Sequence, residues 1–249
     1  MVQKIFQPGF ASNPSFPAFS VYHIAPIIII LTFLCLIFKF KDKLKVEKNR
    51  KIFGEILGIT MLIQVTLLYG WYIYSGIGLQ DALPLYMCRI VALLMIYDLL
   101  FSSTKFHYVA YFWGLLGGII ALLTPDTSGW VFPHVMYTQF FITHGCMLSG
   151  IFLFVLIDGY KPSKKDFLKM TNFTIIFFLS VNIINFILNS NYSYFSAPPQ
   201  SLSIFEIFPS GLIYKIGFLM LLLILNLIFY IPFHIVEKRN ANKNFYLPS

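Results

Sequence analysis

The sequence predicts an all-α polytopic membrane protein with about seven transmembrane helices, its N-terminus outside the cell and its C-terminus in the cytoplasm. Two observations carry this prediction. Hydrophobic residues make up 58% of the 249 residues and charged residues only 11%, whereas a soluble domain carries roughly 25% charged residues. The apolar residues also form long runs with basic residues at their ends. A soluble fold of this length cannot bury so much apolar surface, so lipid surrounds most of the chain.

Seven apolar stretches are long enough to cross a bilayer, which takes roughly 20 residues of helix because only a helix satisfies its own backbone in hydrocarbon. They predict one integral membrane domain over residues 1–249. The third and fourth spans are joined by a short turn and should form a helical hairpin. The spans are Tyr22–Phe40, Phe53–Tyr74, Leu83–Phe101, Phe106–Thr124, Pro133–Ile157, Met170–Leu188 and Leu212–Val236.

The distribution of basic residues among the loops predicts the orientation of the chain in the membrane. One side carries only Lys4, and the odd-numbered connections and the tail carry the other loop Lys and Arg residues: Lys41, Lys43, Lys45, Lys48, Arg50, Lys51, Lys105, Lys161, Lys164, Lys165, Lys169, Lys238, Arg239 and Lys243. Positive charge in short loops stays cytoplasmic. The net charge of +8 therefore indicates contact with anionic lipid headgroups and not nucleic-acid binding.

The same composition suggests where the protein works and with what. Usage rich in Asn, Ile, Lys and Phe is typical of an AT-rich bacterial genome, so we expect a multi-pass protein of the bacterial plasma membrane with membrane lipids as partners. The sequence leaves the oligomeric state open. The three cysteines, Cys35, Cys88 and Cys146, lie in apolar runs without a CxxC pattern. We expect no metal and no cofactor.

Small residues at GxxxG spacing occur twice, at Gly54–Gly58 and Gly114–Gly118. Such spacing lets two helices approach closely in a membrane. We expect both pairs to serve helix packing within the chain, and a specific dimer face is the less favoured alternative.

Polar residues at membrane depth are costly and are therefore candidates for function. The third predicted span opens with Leu-Pro-Leu-Tyr-Met-Cys-Arg, which should place Cys88 and Arg89 about one and a half turns inside the helix. The fifth span carries a stripe with His134 near its start and His144 about 15 Å deeper. Two further residues of that stripe are Tyr137 and Phe141, and the sixth span presents Asn182, Asn185 and Asn189 on one face that leads to Asn191.

If the third, fifth and sixth spans are neighbours, these side chains line one cavity that opens outward. A thiol, two imidazoles, a guanidinium and carboxamides suit acyl transfer, because an imidazole can deprotonate the attacking group and amides can hold the oxyanion. The catalytic candidates are His144, Cys88 and His134. Substrate-binding candidates are Arg89, Tyr137, Asn182, Asn185 and Asn191. The same residues could line a permeation path, and each could instead serve packing alone.

Four ordered motifs lie at Leu83–Cys88, Tyr111–Asp126, Phe132–Gly145 and Asn191–Leu202. Together they resemble the YwaF-type family of bacterial integral membrane proteins. The resemblance covers roughly Leu83–Tyr214, and the first two spans match only in hydropathy. That family is itself distantly similar to a vertebrate multispan acyltransferase family, which loads polyunsaturated acyl chains onto ether phospholipids. The resemblance therefore implies lipid acyl transfer.

Some functional positions of the acyltransferase family are matched in this chain and others are not. The His of the Ile-x-His motif corresponds to His144. In the vertebrate acyltransferase family a Cys directly follows the Pro and a His comes next, whereas this chain has Leu85 and Tyr86 at those two positions. Cys88 lies one helical turn further on. A covalent route through Cys88 and a direct route with His144 as the base both stay open. The motifs add Tyr86 and Gln139 to the substrate-binding candidates.

The favoured hypothesis is thus a multispan membrane enzyme that transfers or hydrolyses acyl chains on lipids. A small-solute or proton-coupled transporter is the alternative from a different class, since it would use the same polar cavity. A non-catalytic membrane scaffold or receptor is the second alternative.

Overall fold

A computed structural model describes residues 2–9, 11, 16–198 and 211–245 of the chain. Every regular element in these residues is a helix. A π-helical turn lies within α7 at Ala110–Gly114, another ends α8 at Leu153–Ile157, and a 3₁₀ turn covers Tyr192–Tyr194. The helices are α1 (Val2–Ile5), α2 (Val21–Lys39), α3 (Lys41–Leu44), α4 (Glu47–Tyr74), α5 (Leu79–Ala82), α6 (Met87–Leu100), α7 (His107–Leu123), α8 (Val135–Ile157), α9 (Lys164–Leu188) and α10 (Leu212–Phe245).

The helical class and the membrane character are confirmed. Helices α2, α4, α8 and α9 and the Leu212–Ile235 part of α10 are long and apolar enough to cross a bilayer. Helices α6 and α7 are apolar but shorter; α6 has 14 residues, or about 21 Å of helix against a hydrocarbon core of roughly 30 Å. Each of the seven predicted spans contains a helix, and five of these helices meet the length requirement.

The third predicted span begins later than the sequence indicates. Leu83 and Tyr86 have extended backbones, and the helix starts at Met87. Pro84 explains this, because proline lacks an N–H group and disfavours the helical conformation in the residue before it. Cys88 and Arg89 therefore lie in the first turn of α6, and the predicted depth of one and a half turns is wrong.

Helix α8 lies at the centre of the bundle. Of its apolar span, 61% is buried, whereas the share is 17–33% in the other four long helices. It packs against α4, α2, α7 and α6, and α9 packs against α10. The outer helices expose large apolar side chains, among them Ile183, Phe186 and Ile187 of α9. These faces suit lipid, and α8 is the helix on which functional side chains can be shielded from it.

The two GxxxG patterns lie at close helix contacts. A Cβ atom on Gly58 of α4 would lie 2.8 Å from Leu100 Cδ2 and 3.2 Å from Leu99 Cβ of α6. A Cβ atom on Gly118 of α7 would lie 2.9 Å from Leu148 Cδ2 of α8. The absence of side chains at these two glycines thus lets α4 approach α6 and α7 approach α8, as small residues do in membrane bundles.

The end of the bundle that carries the basic loops is closed by polar contacts. The Arg50 guanidinium donates two hydrogen bonds to the Asp158 carboxylate, at 2.9 and 2.7 Å, which fixes the start of α4 to the end of α8. In the α6–α7 hairpin, the buried Asp98 carboxylate accepts the Phe106 N–H at 2.8 Å. The predicted hairpin between the third and fourth spans is present.

We predict that Gly58→Ala lowers the thermal stability of the purified protein, because the added methyl group overpacks the α4–α6 contact. Such overpacking typically costs about 1–3 kcal/mol. Gly70→Ala is the matched control, since Gly70 lies in the same helix and a Cβ atom there would meet nothing within 4 Å. The measurement is the melting temperature of both variants in one detergent. Equal melting temperatures would contradict the packing role of Gly58.

Candidate functional site

A cavity of about 310 Å³ lies between the ends of α4, α6, α7, α8 and α10 on the side away from the basic loops. Its apolar wall includes Leu116 and Ile120 of α7 and Leu221, Leu222 and Leu225 of α10. The polar residues on its wall are Tyr69, Tyr72, Asp81, Tyr86, Cys88, Arg89, Thr124, Asp126, Ser128, Gln139, Thr143, His144, Ser193 and Tyr194. The third and fifth predicted spans both contribute to it, and α9 contributes no residue.

His144 is the buried imidazole of this wall, with 4% of its surface exposed. Its Nδ1 lies 2.8 Å from the Phe140 carbonyl oxygen, and a carbonyl can only accept, so Nδ1 carries the proton. In the neutral ring Nε2 then holds the lone pair. Nε2 is buried and has no hydrogen-bond partner among the described residues. The helix backbone thus fixes the tautomer and leaves an unused base.

Cys88 and Arg89 lie side by side at the start of α6. The Arg89 guanidinium donates to the Asp81 and Leu83 carbonyls, both at 2.9 Å, and to the Tyr72 hydroxyl at 2.5 Å. Among the described residues, no carboxylate forms an ion pair with Arg89. Arg89 therefore satisfies the backbone that precedes α6 and keeps a positive charge at the cavity.

The loop after α9 is pinned onto that same backbone. The Ser193 hydroxyl donates to the Leu85 carbonyl at 2.7 Å and accepts the Met87 N–H at 3.1 Å. The Tyr192 hydroxyl donates to the Leu79 carbonyl and accepts the Leu83 N–H at 2.8 Å. These bonds satisfy backbone groups within the non-helical segment 83–86 and in the helices on either side of it.

The loop also contacts the segment after α7. The Tyr194 hydroxyl donates to the Asp126 carboxylate at 2.5 Å, and the Tyr214 hydroxyl donates to the Tyr194 carbonyl at 2.8 Å. Burial, together with the Asp126 carboxylate, raises the pKa of Tyr194 well above its ordinary value. The phenol therefore keeps its proton and holds the loop over the cavity at neutral pH.

Two of the predicted asparagines hold this loop in place and do not line the cavity. The Asn185 amide donates to the Tyr192 carbonyl at 3.1 Å, and its oxygen accepts the Tyr192 N–H at 2.8 Å. The Asn191 oxygen accepts the Ser196 N–H at 3.0 Å. The Asn191–Leu202 motif continues beyond residue 198, so its residues 199–202 lie outside the described part of the chain.

Three other candidates lie away from the cavity wall. The Asn182 amide donates to the Phe178 carbonyl of its own helix at 2.9 Å. The Tyr137 hydroxyl donates to the Tyr22 carbonyl at 2.8 Å. His134 caps α8: its Nδ1 accepts the Met136 N–H at 3.1 Å, and its Nε2 donates to the Gln7 carbonyl at 3.0 Å.

The structure thus brings together Cys88, Arg89, Tyr86, Gln139 and His144 from the sequence-predicted set. Sequence reasoning did not single out Thr143, Asp126 or Tyr194, although all three lie within its motifs. Among the described residues, no group of three or more His, Cys, Asp and Glu side chains could hold a metal ion. The polar wall therefore offers a base, a thiol, a cation and hydroxyl groups.

A protein-family model matches most of the chain. The family model of the TMEM164 family matches residues 18–230, which include the whole cavity wall. No curated protein matches the chain, and no solved structure does. The match confirms a multispan membrane family and leaves the YwaF-type resemblance and its acyltransferase connection as predictions.

We predict that His134 makes the stability of the protein depend on pH. Burial lowers the pKa of His134, and its Nδ1 must be unprotonated to accept the Met136 N–H. Its stabilising effect is therefore present above the unfolded-state pKa of about 6.5 and is lost as the pH falls toward the lower pKa of the folded state.

The test is the melting temperature at pH 7.5 and pH 5.0 for the wild type and His134→Asn, whose side chain can cap the helix but does not titrate. We expect a smaller loss in the variant. An equal loss in both proteins would contradict the capping role.

Proposed function

The chain belongs to the TMEM164 family, and from that premise we propose that it is a membrane enzyme that transfers or hydrolyses acyl chains on lipids. Its active site is the cavity between α4, α6, α7, α8 and α10. We further propose that it works in the bacterial plasma membrane, with the cavity facing outward. Membrane lipids are its substrates.

The observation that carries the proposal is the state of His144. An imidazole with Nδ1 bonded to a backbone carbonyl and Nε2 unpartnered in a buried wall is arranged as a general base. A purely structural histidine in lipid would use both nitrogens, because an unpaired buried polar atom costs roughly 1–3 kcal/mol. The apolar residues of α7 and α10 on the same wall suit an acyl chain.

Two routes of acyl transfer fit these residues. In the direct route, His144 Nε2 takes the proton of an acceptor hydroxyl, whose oxygen bonds to the ester carbonyl carbon of the donor lipid. The carbonyl electron pair moves onto its oxygen; when it returns, the bond to the leaving oxygen breaks and that oxygen takes the proton from Nε2. In the covalent route, His144 Nε2 takes the proton of the Cys88 thiol, Sγ bonds to the ester carbonyl carbon, and the leaving oxygen of the donor lipid departs with that proton, which leaves a thioester on Cys88. The acceptor hydroxyl, or water in hydrolysis, then gives its proton to Nε2 and bonds to the thioester carbon, and Cys88 Sγ leaves and takes that proton.

Arg89 is the group that suits an anionic part of the lipid. Its charge lies at the cavity without a carboxylate partner in the described residues, between the rings of Tyr72 and Tyr86 at 5.1 and 4.4 Å. A guanidinium in such a site binds phosphate oxygens well. We propose that it holds the headgroup while the chain lies against the apolar wall.

The test is lipid mass spectrometry of cells that express the protein at matched membrane levels. We expect the wild type to change the acyl composition of phospholipids and His144→Ala to abolish that change, because no base is left at the wall. His107→Gln is the control for loss of a buried histidine, since His107 is buried but lies away from the cavity.

Cys88→Ser decides between the two routes, with Cys146→Ser as its control because Cys146 is buried elsewhere. Loss of the change in Cys88→Ser alone would support the covalent route. A wild type that leaves lipids unchanged, or a His144→Ala variant that still changes them, would contradict the proposal.

One observation favours the second candidate, a proton-coupled transporter. Asp98 Oδ1 and His107 Nε2 are buried atoms without hydrogen-bond partners at the basic end of the bundle, and His107 Nε2 lies 3.9 Å from Asp98 Oδ2. A buried acid beside a buried imidazole is typical of proton relays in membranes. This function predicts gradient-dependent uptake by reconstituted vesicles without any covalent change in their lipids.

A further inference from the structure

Threonine hydroxyls in this protein follow a common pattern from which Thr143 departs. In helices of the described chain, a threonine hydroxyl usually donates to the carbonyl four residues earlier, which is the habitual partner of a helical threonine. The residues that do so are Thr32, Thr60, Thr66, Thr138, Thr171 and Thr174. Thr143 of α8 makes no such bond to Gln139.

The Thr143 oxygen instead accepts a hydrogen bond from the Gln139 side-chain amide at 3.0 Å. Its own proton is therefore not used within the described residues. Both side chains are buried, with 5% of Thr143 and 8% of Gln139 exposed, and both lie on the cavity wall. A hydroxyl that accepts one hydrogen bond becomes a stronger donor of another. Gln139 thus orients a hydrogen-bond donor next to His144.

Acyl transfer needs a donor of this kind. When the nucleophile bonds to the carbonyl carbon, the carbonyl oxygen gains negative charge, and a fixed donor in a site without bulk water stabilises it. The cation on the wall, Arg89, donates to two backbone carbonyls and, in the proposed function, holds the headgroup, so another donor is needed at the acyl carbonyl. The residue that follows His144 in the helix, Gly145, has no side chain that could donate a hydrogen bond.

We propose that the Thr143 hydroxyl is a catalytic residue that donates a hydrogen bond to the carbonyl oxygen of the acyl group, and that Gln139 is its positioning residue. The inference rests on the proposed acyl transfer and applies to both routes. In each, the electron pair of the carbonyl moves onto an oxygen that accepts the Thr143 O–H, and it returns when the leaving group departs.

The test uses purified protein in phosphatidylcholine vesicles that contain a labelled acyl chain and a lysophospholipid acceptor. We expect Thr143→Val to lower kcat by about 100-fold, the lower limit for loss of one oxyanion donor. Thr143→Ser should stay within a few-fold of the wild type because it keeps the hydroxyl. Thr171→Val is the matched control, since among the described residues the Thr171 hydroxyl bonds only to the Phe167 carbonyl of its own helix.

A long-chain trifluoromethyl ketone separates a catalytic role from a structural one. Its carbonyl carbon readily takes up a nucleophile and then resembles the tetrahedral intermediate, whereas the matching methyl ketone stays a ground-state mimic. We expect Thr143→Val to weaken inhibition by the trifluoromethyl ketone about as much as it lowers kcat and to leave inhibition by the methyl ketone unchanged. A structural defect would weaken both inhibitors alike.

Gln139→Leu provides a second variant should Thr143→Val not fold. This variant removes the amide that orients the Thr143 hydroxyl but keeps the hydroxyl, so we expect it to lower kcat below the wild-type value and by less than Thr143→Val does. The double variant Gln139→Leu/Thr143→Val should have the same kcat as Thr143→Val alone. Turnover that needs His144 but is unchanged in Thr143→Val and in Gln139→Leu would overturn this inference alone. No turnover by the wild type would overturn the proposed function and this inference with it.

Discussion

The site depends on how the protein satisfies the backbone between α5 and α6. Pro84 prevents this segment from continuing as helix, so its N–H and C=O groups lack the partners that a helix would give them and need others. Side chains from elsewhere supply the missing partners: Tyr192 bonds to Leu79 and Leu83, and Ser193 to Leu85 and Met87. Because these groups are satisfied, α6 can start late, and its first turn presents Cys88 and Arg89 to the cavity.

Helix α8, at the centre of the bundle, supplies the remaining polar residues of the site that the proposal uses. A helix surrounded by α2, α4, α6 and α7 keeps its polar side chains out of lipid, so it can carry Gln139, Thr143 and His144 at membrane depth. The small residues Gly58 and Gly118 bring α4 against α6 and α7 against α8. These contacts hold together the helices whose other ends line the cavity.

Hydropathy and charge were enough to predict a helix in each of the seven spans, because polar backbone and charge are costly in lipid. They did not predict that α6 starts only at Met87. The sequence also predicted that Cys88 and His144 lie in one cavity. It did not predict which neighbour each helix face meets. Tyr137 shares a stripe with His144, yet α8 is buried on several sides and Tyr137 contacts the start of α2. Asn185 lies on α9, which contributes no residue to the cavity wall, and it holds the loop after that helix. Whether the Thr143 hydroxyl bonds to its own helix or to the Gln139 side chain depends on side-chain geometry.

The most direct test of the central claim is acyl transfer by the purified protein in vesicles that hold one donor lipid and one lysophospholipid acceptor. The account predicts that the labelled acyl chain moves to the acceptor or is released as free acid with the wild type and with His107→Gln, and that it stays on the donor with His144→Ala. Transfer that continues without His144 in a correctly folded variant, or no transfer by the wild type, would contradict it.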